Sequence, residues 1–141
     1  MARADAYVDH LHQVTLFAAC SRKNLRKVAH LSEHRRVAAG TTIVNEGDPG
    51  SEFFVILDGT ARVIRQGRRI ATLGPGSGFG ELALLENAPR NATVVADTNM
   101  ELVVVGQHEF EGLLDEVPGF ARKMLAGTAH RLREADARAI E

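Results

Sequence analysis

Cysteine occurs once in the 141 residues, at Cys20, so no internal disulfide can close and neither a four-cysteine zinc site nor a CxxC redox pair can form. Such a chain suits a reducing compartment. Charge of one sign is lacking too: seventeen Lys plus Arg stand against eighteen Asp plus Glu, a formal net charge of -1. No global field draws this chain onto nucleic acid or anionic lipid, and any anion site must be local. No apolar stretch approaches the roughly 18 residues that a membrane span needs, and Met1-Ala2-Arg3-Ala4-Asp5 has no apolar core of a secretory signal. The expectation is a cytoplasmic protein with no membrane or nucleic-acid partner in this chain. Repeats, low-complexity tracts and long linkers are also missing, which predicts a single domain over 1–141.

Hydrophobic residues make up 45% and charged residues 25%, the balance of an ordinary globular domain. Most of the thirteen glycines crowd between Gly40 and Gly80, where short apolar runs alternate with turn signals. The runs are Thr42-Ile43-Val44, Phe53 to Leu57, Ala61 to Ile64 and Arg69 to Leu73; after Pro89 come Ala92 to Ala96 and Glu101 to Val105. Asp58-Gly59 and Gln66-Gly67 suit tight hairpins, because glycine takes a positive φ without steric cost. Strands this short and evenly spaced predict an α+β fold, an antiparallel, jelly-roll-like β-roll over about 34–106. Helices flank it. The N-terminal helices lie within about 4–33, where Ser21 can cap a helix with Leu25, Val28, Ala29 and Leu31 on one face. The C-terminal helices occupy about 107–139: Phe110, Leu113, Leu114 and Val117 follow helical spacing up to Pro118, where a second helix can begin.

The stretch from Gly74 to Val95 carries the chemistry. Gly76, Gly78 and Gly80 let the backbone approach a ligand, and strong helix formers from Glu81 to Glu86 predict a short helix starting where the glycines stop. Free amide hydrogens at such a start suit a phosphate. Arg90 adds a full charge nine residues after Glu81, just where Asn87-Ala88-Pro89 turns the chain back, and its guanidinium can donate two hydrogen bonds to one phosphate. A carboxylate repels an anion, so Glu81 calls for a donor on the same ligand, such as a sugar hydroxyl; alternatively it caps the helix dipole and pairs with Arg90 with nothing bound.

Phe79-Gly80-Glu81-Leu82-Ala83-Leu84, followed after a gap by Arg90-Asn91-Ala92-Thr93-Val94, resembles the phosphate-binding cassette of cyclic nucleotide-binding domains. These occur in protein kinase regulatory subunits, catabolite-activator-type regulators and cyclic nucleotide-gated channels. The similarity extends to Ala38 to Ile43, Glu46-Gly47-Asp48, Phe53 to Ile56 and Gly59, and spans about Leu16 to Arg133. The resemblance implies that Glu81 accepts the ribose 2'-OH, that Arg90 pairs with an exocyclic phosphate oxygen, and that the amides of Leu82, Ala83 and Ala92 complete the cradle. Gly80 permits close approach. Val63, Ala71, Leu73 and Phe79 correspond to positions lining the sugar and base pocket, and Arg131 sits where some relatives send a helix side chain over the base; otherwise it is a solvated helix arginine.

Two departures bear on that assignment. Asn91 stands where kinase-type relatives often have Ala for cAMP and Thr or Ser for cGMP, and an amide there can bond either phosphate or a purine edge. Relatives also often hold the arginine with an acid after the Gly-Asp turn, where this chain has Ser51 and then Glu52, so either Arg90 is freer or Glu52 substitutes. The aromatic cap of kinase subunits is missing unless Phe120 serves, Tyr7 being the only tyrosine and tryptophan absent.

Other patterns point elsewhere. His30-Leu31-Ser32-Glu33-His34 fits H-x-x-E-H, which on one helix places two histidines for a metal. No third ligand is evident, and Arg35-Arg36-Val37 followed by Gly40 implies that the helix has already given way to a strand. Six basic residues between Arg22 and Arg36 lack aromatic interleaving and read as a solvated face. Ala121, Leu125, Thr128, Leu132, Ala135 and Ala139 recur like a coiled-coil seam, or else pack on the roll's own flank. No nucleophile, base and acid form a catalytic motif, and no metal or cofactor is expected.

The function expected is reversible binding of a cyclic purine nucleotide, cAMP favoured over cGMP, by a regulatory module that repacks its C-terminal helices through Leu84 or Leu85. The effector is a partner protein or a domain outside this chain. The alternative is a ligand-free interaction or dimerisation module that keeps the roll.

Overall fold

The computed structural model describes residues 2–14, 17, 20–80, 83, 84, 87–117, 119–126, 129 and 133. Helices α1 (Ala2–His12) and α2 (Arg22–Leu31) precede eight strands: β1 (Glu33–Val37), β2 (Thr42–Val44), β3 (Glu52–Asp58), β4 (Ala61–Arg65), β5 (Arg68–Leu73), β6 (Gly78–Phe79), β7 (Thr93–Ala96) and β8 (Met100–Gly106). Helix α3 (Gln107–Glu116) follows, and residues 120–126 are helical. The strands form two antiparallel four-stranded sheets, ordered β1-β8-β3-β6 and β2-β7-β4-β5. This is the expected β-roll flanked by helices.

The continuous apolar run of β3 is explained by burial on both faces, since alternate side chains on a strand point to opposite sides. Phe54 and Ile56 turn into the roll with Ala61, Leu73, Phe79, Val94, Leu102 and Val104. Phe53, Val55 and Leu57 turn outward into a second core with Val103 and Val105 of β8 and the helical residues Leu25, Val28, Phe110 and Leu113. Phe120 seals that core, packing parallel to Phe17 at 5.9 Å and edge-on to Phe53 and Phe110 at 6.2 and 6.1 Å between ring centroids. It is fully buried and therefore does not serve as an aromatic cap for a ligand.

Several local signals hold in the fold. The Ser21 hydroxyl accepts from the Asn24 amide at 3.1 Å and caps α2, whose Leu25 and Val28 are buried. Gln66 and Gly67, both at positive φ (51° and 76°), turn β4 into β5. Asp58-Gly59 is different: it joins strands of different sheets, so it is a crossover and not a hairpin. Gly59 is still required there, with φ +91° and a Cβ that would lie 2.5 Å from the Asn99 carbonyl oxygen.

The metal-like histidine pattern is broken by the end of α2. His30 stays on the helix while Glu33 and His34 begin β1, where His34 stacks on Tyr7 at 5.1 Å and lies 3.6 Å from the Glu101 carboxylate. Among the described residues no three His, Cys, Asp or Glu gather as a metal site, and no helix is long and apolar enough to cross a membrane. Only the first part of the C-terminal seam falls within the described residues. Phe120 and Met124 form the buried stripe there, whereas Leu125 is 65% exposed and does not pack on the flank of the roll. Thr128, Leu132, Ala135 and Ala139 lie outside the described residues.

Phe53 ties β3 to α3 and to the 120–126 segment. Phe53→Ala is expected to cost about 3–5 kcal/mol through the cavity it leaves, read as a lowered urea midpoint with the slope unchanged. A cost near zero would contradict this packing.

Candidate functional site

Arg90 is the sole buried charged side chain among the described residues, 7% exposed. A guanidinium in that position is tolerated only where hydrogen bonds replace its water. Nη1 donates to the Gly80 carbonyl at 3.0 Å and Nη2 to the Glu52 carbonyl at 2.7 Å, and the Phe54 ring lies 5.8 Å from Cζ. These two backbone acceptors fix the orientation of the guanidinium plane. The backbone of the same residue is clamped as well. Its amide donates to the Asp48 carbonyl and its carbonyl accepts from the Gly47 amide, each at 2.8 Å, beside an antiparallel bridge between Pro49 and Pro89.

Two glycines make room for this side chain. Gly80 has φ +93°, and a Cβ on it would fall 2.5 Å from Arg90 Nη1 and 3.0 Å from the Glu52 carbonyl oxygen. Gly50, which sequence reasoning passed over, is equally tight: a Cβ would sit 2.5 Å from Ala83 Cβ and 2.6 Å from Arg90 Nε. Gly78 is also required by core packing, since its Cβ would meet the Phe53 ring at 2.9 Å.

Glu52 meets Arg90 through its backbone and not through its carboxylate. Its carbonyl receives Arg90, while its carboxylate bonds Arg35 at 3.2 Å. Burial does not select that carboxylate for Arg90 because Arg35, on β1, competes for it. The Arg35 guanidinium is held above its ordinary range, first by the hydrogen bond to Glu33.

The other sequence-derived residues divide into three groups. Phe79, Leu73 and Val63 line or pack against the inner core of the roll, Phe79 parallel to Phe54 at 4.9 Å, and Ala71 is half-buried opposite Val63 on the β4–β5 ladder. Ala83 and Leu84 are helical and buried, Leu84 within the outer core that also holds Phe110 and Leu113. Ala92 is buried and Asn91 exposed, directly after Arg90. Glu81, Leu82, Leu85 and Arg131 lie outside the described residues. Gly80, Ala83, Arg90 and Ala92 are thus placed at one end of the roll, together with Gly50, Phe54 and the carbonyl of Glu52. The Gly47-Asp48 turn is legible in the sequence, but nothing local shows that the segment through Gly50 packs against Arg90.

Tyr7 lies elsewhere, bonded to Ser32 at 2.9 Å, its hydroxyl pushed above its ordinary range by burial. Cys20 is buried in the outer core, and burial likewise raises its thiol.

Fold and site together give an antiparallel β-roll, flanked by helices, that holds a buried, backbone-anchored guanidinium against a glycine at positive φ. The family described as the cyclic nucleotide-binding domain matches residues 34–117, and the chain belongs to that family. A cAMP-dependent protein kinase regulatory subunit from Hypocrea atroviridis is 32% identical over 122 residues, covering 86% of this chain and 26% of that protein. The chain therefore spans about a quarter of that relative's length. Among solved structures, "Sp-2Cl-cAMPS bound to PKAR CBD2" aligns with a TM-score of 0.80 and 29% identity over 96% of this chain and 92% of that one. The Thermus thermophilus catabolite activator protein aligns at 0.77 and 31% identity, over 88% of this chain and 61% of that one. The regulatory subunit of a cAMP-independent protein kinase A from Trypanosoma cruzi, bound to guanosine, aligns at 0.72 and 25% identity, over 81% and 43%.

Gly40 offers a control for the strain at Gly80, since it too has positive φ (+88°) but open space where a Cβ would go. Gly40→Ala is expected to cost about 1–2 kcal/mol from backbone conformation alone. Gly80→Ala should cost clearly more in the same urea titration, because the new methyl displaces the guanidinium. Equal costs would mean that Arg90 does not crowd this position.

Proposed function

We propose that residues 1–141 act as one regulatory domain that reversibly binds a cyclic purine nucleotide, cAMP in preference to cGMP, with no catalysis of its own. The observation that carries this reading is the burial of Arg90 under Gly80, oriented by two neutral carbonyls. A guanidinium so placed suits a bidentate interaction with one phosphate. Glu81 then takes the ribose hydroxyl, the amides of Leu82, Ala83 and Ala92 complete the cradle, and Arg131 approaches the base. Val63, Ala71, Leu73 and Phe79 form the apolar side of the pocket. The preference for cAMP draws support from Sp-2Cl-cAMPS, bound in one of the aligned structures, while the guanosine of the trypanosome neighbour makes base selectivity a matter for titration.

The output is a repacking of the C-terminal helices. Leu84 belongs to the same buried cluster as Phe110 and Leu113, so a shift of the Ala83-Leu84 helical segment disturbs the core on which α3 packs. A ligand moves that equilibrium only by its differential affinity; a 100-fold preference corresponds to about 2.7 kcal/mol. The effector that reads the change is a partner protein or a domain outside this chain. A second reading, a ligand-free docking module, takes its support from the exposed Leu125.

Arg90→Ala removes charged hydrogen bonds worth about 1.5–3 kcal/mol each, which weakens cAMP binding by roughly 10- to 200-fold for one bond and more for two. Calorimetry on wild type, Arg90→Ala and the charge-retaining Arg90→Lys tests this, with a thermal scan of each variant to check folding. Unchanged affinity in a folded Arg90→Ala protein rejects the assignment. Absence of any nucleotide-dependent heat or thermal shift in wild type favours the docking module.

A further inference from the structure

The β4–β5 hairpin reaches back to the loop that carries Arg90. At its tip the Gln66 amide donates to the Glu46 carboxylate at 3.0 Å, and Glu46 in turn donates its own amide to the Thr93 hydroxyl at 2.9 Å. From this tethered tip Arg65 Nε donates to the carbonyl oxygen of Asn91 at 3.0 Å. That carbonyl belongs to the peptide joining Asn91 to Ala92.

A trans peptide is a rigid plane in which C=O and N–H point opposite ways, and the chain contains no cis peptide among its described residues. Holding the Asn91 oxygen therefore fixes the direction of the Ala92 amide hydrogen, away from Arg65. Ala92 is 7% exposed, and its amide donates to no acceptor among the described residues. A buried amide in that position calls for an acceptor. A guanidinium on the carbonyl also draws electron density through the amide and strengthens its N–H as a donor. Neighbouring backbone is fastened too: the Arg90 amide and carbonyl are taken by Asp48 and Gly47.

We propose that Arg65 is a positioning residue for ligand binding: through the Asn91 carbonyl it aims the Ala92 amide at an exocyclic oxygen of the phosphate that Arg90 binds. The inference rests on the cyclic nucleotide reading of the site, and goes beyond it in assigning a role to a side chain that does not touch the ligand. It also explains how Asn91 can be exposed at its side chain while its backbone is held: the function of the position lies in its peptide plane.

The test is a titration of cAMP and of the two diastereomeric phosphorothioates of cAMP, each of which replaces one exocyclic oxygen with sulfur, a weaker acceptor. Arg65→Ala should weaken cAMP binding by roughly 2- to 10-fold, the range of one ordinary hydrogen bond. For one of the two phosphorothioates the same substitution should cost much less, because the amide no longer has a good acceptor to be aimed at. Arg68 faces Arg65 across the hairpin, so Arg68→Ala removes an equal charge and should leave all three affinities within about 2-fold. The ligand-free melting temperature of each variant shows whether the fold is kept.

An equal loss for all three ligands, or an equal effect of Arg68→Ala, assigns Arg65 to general electrostatics and overturns the proposal. No loss in Arg65→Ala while wild type binds cAMP overturns it and leaves the binding reading intact. Failure of wild type to bind any of the three removes that reading, and this inference with it.

Discussion

A guanidinium taken out of water needs acceptors before it can be kept there, and at Arg90 those acceptors come from two separate parts of the chain. Gly80 supplies one carbonyl from just beyond β6 and Glu52 the other from the start of β3. Asp48 and Gly47 hold the backbone of the same residue. The turn at 46–50, the short β6 and the loop before β7 are thus brought together by one residue, through its backbone and its side chain. Gly50 and Gly80 are the steric counterpart of that convergence, since a methyl on either would occupy the volume of the arginine. The fold thus holds its one described buried cation with backbone groups drawn from separate loops.

The start of β3 shows how closely the site is joined to the rest of the molecule. Glu52 gives its carbonyl to Arg90 and its carboxylate to Arg35 of β1. Phe53, the next residue, enters the outer core against Phe110 and Phe120. Phe54, the next again, enters the roll, stacks on Phe79 and lies under the Arg90 guanidinium. Strand alternation alone connects the arginine, the inner core and the helices within three residues. Leu84 adds a second link from the glycine turn to the outer core.

Much of this was legible along the chain, wherever a local rule suffices. The Ser21 cap, the Gln66-Gly67 turn and the helical stripe at Phe110 and Leu113 all depend on neighbours a few residues apart. The failures share a different cause. Asp58-Gly59 has hairpin composition, yet it crosses between sheets, since the strands on either side find partners distant in sequence. Phe120 was available as a ligand cap until the outer core claimed it. Glu52 was a candidate for Arg90 through its carboxylate, and Arg35 took that group instead. Gly50, Gly78 and Arg65 gave no sign of their roles, because each role is defined by a side chain or carbonyl far away in sequence.

The order of residues alone therefore decided which elements form, which faces are apolar and that one arginine stands beside a glycine turn, because propensity, periodicity and turn chemistry act over short separations. It also decided the family, through a motif whose members lie within about sixteen positions of one another. Which acceptors hold that arginine, which glycines must lack a side chain and which strand face meets the helices were settled only by the tertiary structure. Those outcomes are competitions between groups far apart in the chain, and they are resolved only when packing brings the contenders to the same place.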